Sequence, residues 1–146
     1  MFNENSVRLD FLSEMDMLDF VNVVSDHVGR TAGLDEDALH RVSVAVRESV
    51  ANAIVHGNGN DKDKRVFIEF ASIDGDRPRI AIRVRDQGAG FDLRTLSDPL
   101  RPENLMKPCG RGIFLIRTLM DEMTLQRAAE GGMEILMVKH IEPQAH

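Results

Sequence analysis

The sequence predicts an α+β fold: a two-layer sandwich with three main helices on one face of a mixed, mostly antiparallel sheet of about five strands. Three observations carry that expectation. Short alternating runs, Val66/Ile68/Phe70 and Ile80/Ile82/Val84, are bounded by turn-forming residues, as half-buried strands are. Longer stretches repeat apolar residues at spacings of three and four, the helical period. The connections are mostly hairpin-like, which favours antiparallel pairing with the helices gathered on one side.

Taken in order, Val7, Leu9 and Phe11 alternate as a first short strand. Ser13 and Asp16 predict a helix start of the capping-box type. Met17, Phe20, Val21, Val24 and Val28 then mark an amphipathic helix ending near Gly29. Asp35 is placed to cap a second helix over 36–57, after which a Gly/Asn/Asp-rich turn occupies 57–63. Two strands follow, joined by "DGDRP", with Arg79, Arg83 and Arg85 pointing away from the apolar side. A third helix is expected from Gly112 through "IFLIRTLM". "MTLQR" and "MEILMVKH", split by Gly131 and Gly132, close the chain as a hairpin. Between Gly90 and Gly110 lie 19 residues with three prolines and no sustained period. Loops beyond about 12–15 residues are usually lids or binding loops, so 91–109 is expected to be a lid. With no repeat or linker in view, 1–146 reads as a single domain.

Composition narrows the function classes. Lys and Arg number 18 against 24 Asp and Glu, a net charge of −6. A general nucleic-acid or membrane-surface binder needs a basic face, so neither partner is expected. No apolar run approaches the roughly 20 residues of a membrane span. "MFNENSVRLD" lacks the basic-then-apolar order of a secretion signal, and the single Cys109 has no internal disulfide partner. The expected location is a reducing cytoplasm.

The second helix raises the first chemical question. On a wheel of about 100° per residue, Leu39, Val42, Val46, Val50 and Ala53 share the core stripe. Glu48, Asn52 and His56 share another, bordered by Val44, Ala45, Ala51 and Val55. A solvated face would carry Lys, Glu and Gln instead, so this polar seam faces a cleft or an internal hydrogen-bond network. His56, at the helix end, reads more readily as a structural cap.

Two glycine-bearing turns follow. Ile80, Ile82, Val84 and Asp86 share one strand face, so Asp86 aims its carboxylate into the layer of the helices. A buried carboxylate needs a donor. Gly88 and Gly90 come next and clear side chains from the approach. That combination suits a planar heterocycle with an amino group, although D-x-G-x-G also describes an ordinary turn. The second turn, Gly110-Arg111-Gly112, precedes a helix whose amino end favours phosphate. Alone it is an equally ordinary helix entry. Neither glycine pair extends to G-x-G-x-x-G, there is no G-x-x-x-x-G-K-[ST], and the histidines show no metal-ligand spacing.

The order of these parts carries a resemblance. "ESVANAIVHGN" (48–58) resembles the N box, "DQGAGFD" (86–92) the G1 box and "GRGIFLIRTLM" (110–120) the G2 box of the Bergerat-fold ATPases. That superfamily includes gyrase, heat-shock chaperones, histidine kinases and mismatch-repair ATPases. "AVRESVANAIVHGN" and the lid "DPLRPENLMKPCGRGI" are most similar to the bacterial anti-sigma factor serine kinases.

The resemblance implies a protein-serine kinase using ATP and Mg²⁺. It implies Asp86 as acceptor from the adenine amino group, with Gly88 and Gly90 allowing close backbone approach. It implies Asn52 as the Mg²⁺ ligand, Glu48 as general base, and Gly110, Arg111 and Gly112 as the phosphate cradle. Its partners would be an anti-anti-sigma factor (a STAS domain), phosphorylated on serine, and a sigma factor, sequestered; a homodimer is implied as well. The alternative is a nucleotide-binding anti-sigma module without kinase activity. A lone histidine-kinase catalytic domain is disfavoured, since 146 residues leave no room for a phosphoacceptor helix pair. Cys109 departs from the Ser or Thr expected before the G2 glycine; a thiol is the poorer donor.

Overall fold

The computed structural model describes residues 1–88 and 108–143. In chain order these form β1 (Val7–Leu12), α1 (Met17–Ala32), α2 (Glu36–Asn52), a π-helical turn (Ala53–Gly57), β2 (Arg65–Ile73), β3 (Arg79–Arg85), α3 (Pro108–Leu119), β4 (Glu122–Arg127) and β5 (Met133–His140). The five strands make one sheet in the order β1-β2-β3-β5-β4, with every pairing antiparallel. The last hairpin thus inserts β5 beside β3 and leaves β4 at the edge.

Strand parity builds the core. Val66, Ile68, Phe70, Ile80, Ile82, Val84, Ile135 and Met137 are all buried on the face that meets the helices. Each fully buried side chain of this size contributes about 1.5–3 kcal/mol, so this layer dominates the stability. The opposite face carries a polar ladder across all five strands. Arg8 pairs with Glu69, Glu69 with Arg83, Arg83 with Glu134, and Gln126 donates to Glu134. Burial disfavours the charged form of Glu69, but hydrogen bonds from Arg83 and Arg8 outweigh it and hold the carboxyl below its ordinary range.

The helices depart from expectation in four places. The capping box before α1 does not form: Asp16 makes no side-chain cap, and the Ser13 hydroxyl donates to the Lys64 carbonyl instead. The buried face of α1 is Leu18, Val21, Ser25 and Gly29, while Phe20 is 52% exposed. Gly29 explains that rotation, because a Cβ there would lie 2.6 Å from Leu39 Cδ2. Small residues let α1 settle closely on α2, an approach that hydrophobicity alone does not reveal. The helix runs past Gly29 to a left-handed C-cap at Gly33. Finally, α3 begins at Pro108 rather than Gly112, with proline supplying its preset φ in the first turn. Asp35 caps α2 as expected, accepting from the Ala38 amide at 2.8 Å.

Candidate functional site

α2 lies between α1 and α3, and its seam meets the end of β3. Asn52 is 6% exposed and Asp86 4% exposed. They line one narrow crevice together with Ser49, Ala53, Val84, Met133 and Ile135. Glu48 stands one turn before Asn52, half-buried and outside that lining. His56 is exposed. The wide turn after Asn52, marked by the Asn58 amide donating to the Ala53 carbonyl at 2.8 Å, breaks the constant 100° phase and swings His56 off the seam. The polar line therefore ends at Asn52.

Asp86 is held by backbone. Its Oδ1 accepts from the Gly88 amide at 3.0 Å and the Met133 amide at 3.1 Å, while Oδ2 accepts no hydrogen bond among the described residues. Each bond to a charged acceptor contributes about 1.5–3 kcal/mol, against a desolvation cost of several kcal/mol. The cost wins. Burial pushes the carboxyl above the ordinary aspartate range, with the two amides and nearby Lys64 acting in the opposite direction.

Asn52 is the second unsettled group. Its Nδ2 is buried without a hydrogen-bond partner among the described residues. A half-turn of the amide exchanges nitrogen for oxygen, so this end can face an amine or a cation. Four glycines crowd around the pair. A Cβ on Gly57 would lie 2.0 Å from Asp86 Oδ2, and one on Gly88 would lie 1.5 Å from the Gly57 carbonyl oxygen. A Cβ on Gly132 would lie 2.0 Å from the Asp86 carbonyl oxygen, and one on Gly112 2.7 Å from Asn52 Nδ2.

Of the residues singled out in the sequence, the structure brings Asn52, Asp86, Gly88 and Gly112 together. Arg111 is exposed at the start of α3, beside Gly112. Gly110 lies in the first turn of α3. Gly90 and residues 91–107 of the expected lid fall outside the described residues, whereas 108 and 109 belong to α3. Gly57, Gly132, Ser49 and Met133 were not foreseen. The Gly131-Gly132 pair did carry a signal, read only as a hairpin tip. A carboxylate oxygen and an amide nitrogen without partners among the described residues, with bare Cα atoms on several sides, fit a planar base bearing a donor. The amide fits one position on a hard cation that takes its other oxygens from phosphates and water.

Comparison with known proteins identifies the family. The family described as histidine kinase-like ATPase domain matches residues 14–139. The serine-protein kinase RsbW of Listeria monocytogenes is 28% identical over 120 residues, covering 78% of this chain and 73% of the relative. The anti-sigma F factor of Clostridium perfringens is 35% identical over 141 residues, covering 93% of this chain and 96% of the relative. A solved histidine kinase domain from the blue-light activated histidine kinase of Erythrobacter litoralis EL346 shares the fold, with a TM-score of 0.57 at 18% identity. That match covers 87% of this chain and 60% of the other. The chain belongs to the histidine kinase-like ATPase family, in the group that holds the anti-sigma factors and serine-protein kinases.

Proposed function

We propose that this protein is an ATP-dependent protein-serine kinase that also acts as an anti-sigma factor. Its substrate in this reading is a serine on an anti-anti-sigma partner of the STAS type, and its second client is a sigma factor. The observation that carries the nucleotide reading is that Asp86 Oδ2 and Asn52 Nδ2, in one crevice, have no hydrogen-bond partner among the described residues.

The residues divide the work. Asp86 accepts from the adenine amino group, while Gly57 and Gly88 keep side chains out of the way. Asn52 would hold Mg²⁺ through its side-chain oxygen, and the bound ion would supply positive charge to offset that of the phosphates. Arg111 and the Gly110 amide, in the first turn of α3, face the phosphates. Glu48 takes the proton from the attacking serine hydroxyl. The serine oxygen then bonds to the γ-phosphorus, the bond from that phosphorus to the bridging oxygen breaks, and ADP leaves. Positioning and charge supply most of the catalysis in such transfers, so a carboxylate one turn from the metal residue suffices as the base. A homodimer in the cytoplasm completes the reading.

Incubation with labelled ATP, Mg²⁺ and each STAS-type protein of the same genome tests it. Label appearing on a serine of one partner is the expected result. Binding of ATP without transfer would favour the sequestration-only alternative, and no heat from adenine nucleotides in calorimetry would overturn the reading altogether.

A further inference from the structure

Asn58 follows the π-helical turn and is 2% exposed. Its amide joins three separate parts of the chain. Nδ2 donates to Ser13 Oγ at 2.7 Å and to the Arg65 carbonyl at 3.0 Å, and Oδ1 accepts from the Gln87 amide at 2.8 Å. Both donors are used, so the side chain has one orientation. The Arg65 amide donates in turn to Gln87 Oε1 at 2.7 Å, tying β2 to the same turn.

The location matters more than the count. Gln87 lies between Asp86 and Gly88, and Asn58 follows Gly57 directly. Those neighbours make the tight contacts of the crevice. A Cβ on Gly88 would meet the Gly57 carbonyl oxygen at 1.5 Å and the Asn58 amide nitrogen at 3.2 Å. The 2.8 Å bond from Gln87 to Asn58 thus sets how closely the turn after β3 approaches the end of the π-helical turn.

We infer that Asn58 is a positioning residue for nucleotide recognition: it clamps the 86–88 turn against Gly57 so that Asp86 Oδ2 stays aimed at the amino group of the base. This inference rests on the nucleotide reading above. Alanine at 58 leaves the Gln87 N–H without its acceptor and frees the turn to drift. Aspartate would keep that acceptor but lose both donors.

The test compares calorimetric affinities for ATP and ITP in the presence of Mg²⁺, since inosine has the same triphosphate without the exocyclic amino group. The proteins are wild type, Asn58→Ala, Ser13→Ala, and Leu18→Ala as a core-destabilised control. Wild type should prefer ATP. In Asn58→Ala the ATP/ITP preference should fall on the order of tenfold, the weight of about one good hydrogen bond. Leu18→Ala should melt earlier yet keep the preference, which separates positioning from general loss of stability. Ser13→Ala removes one of the three bonds and should reduce the preference about two- to threefold; it decides the matter if Asn58→Ala does not fold. An unchanged preference in folded Asn58→Ala, or in Ser13→Ala in that second case, overturns the inference. A wild-type protein that binds neither nucleotide overturns the nucleotide reading and this inference with it.

Discussion

The side-chain amide of Asn52 rests against Gly112, where an added Cβ would stand 2.7 Å from Nδ2 and 3.1 Å from Oδ1. Through this contact the amino-terminal part of α3 reaches the polar seam of α2. Alanine at 112 would gain about 1 kcal/mol of helix propensity while displacing the amide. Gly112→Ala is therefore expected to melt at or above the wild-type temperature and to lose Mg²⁺-dependent ATP affinity on the order of tenfold. Titration with and without Mg²⁺ checks it; full retention would remove Asn52 from the metal position.

Asp86 couples stability and binding in opposite senses. Burial raises its pKa in the folded protein, so between the ordinary aspartate value and the raised one the native state holds the extra proton. Stability is highest below that window and falls as pH climbs through it. Asp86→Asn should accordingly raise the neutral-pH melting temperature, with the gain vanishing in acid below the ordinary value. The same substitution should weaken ATP by roughly 10–100-fold, as loss of a charged acceptor does. In wild type, affinity should drop as pH falls through the raised pKa, because the ionised form is the acceptor. Melts and calorimetry across the acid range read both signs.

Glu48 makes no hydrogen bond or ion pair among the described residues and stands half-buried one turn from Asn52. Glu48→Gln is expected to slow phosphate transfer by about 10²–10⁴-fold while leaving ATP affinity within about twofold. Single-turnover assays with the partner separate the two. Transfer at the wild-type rate would assign the proton to another acceptor.

The two glycines of the last hairpin make an internal control. Both have left-handed φ, +96° at Gly131 and +85° at Gly132, but only a Cβ on Gly132 collides with Asp86 backbone. Gly131→Ala should cost about 1–2 kcal/mol, the strain of that conformation alone. Gly132→Ala should cost clearly more in urea unfolding and should also impair ATP binding. Equal costs would show that the Asp86 contact relaxes freely.

The fold was legible wherever a single period ran undisturbed. Ile80, Ile82, Val84 and Asp86 alternate without a break, so the burial of Asp86 could be read from the parity of its strand. Leu39 through Ala53 hold one helical phase, and their core stripe is buried throughout. His56 was misplaced because a single wide turn resets the phase, and no residue type announces such a turn. On α1, Met17, Val21, Val24 and Val28 meet the core as expected and only Phe20 does not; Ser25 and Gly29 escaped notice because they gain burial through closeness of approach, which their own hydrophobicity does not encode. Gly57, Gly132 and Asn58 matter through partners 29 or more positions away in the chain (Gly57 to Asp86, Asn58 to Gln87 and Gly132 to Asp86), and local pattern is blind to those.

Met133 bonds Asp86 twice: its carbonyl accepts from the Asp86 N–H, a rung joining β5 to the end of β3, and its own N–H donates to the pocket carboxylate at Oδ1. Deuterium uptake at that one position therefore gauges the charge on Asp86. Acid that neutralises the carboxylate weakens the bond and hastens exchange; an occupant that keeps it ionised slows exchange, without any label on the occupant.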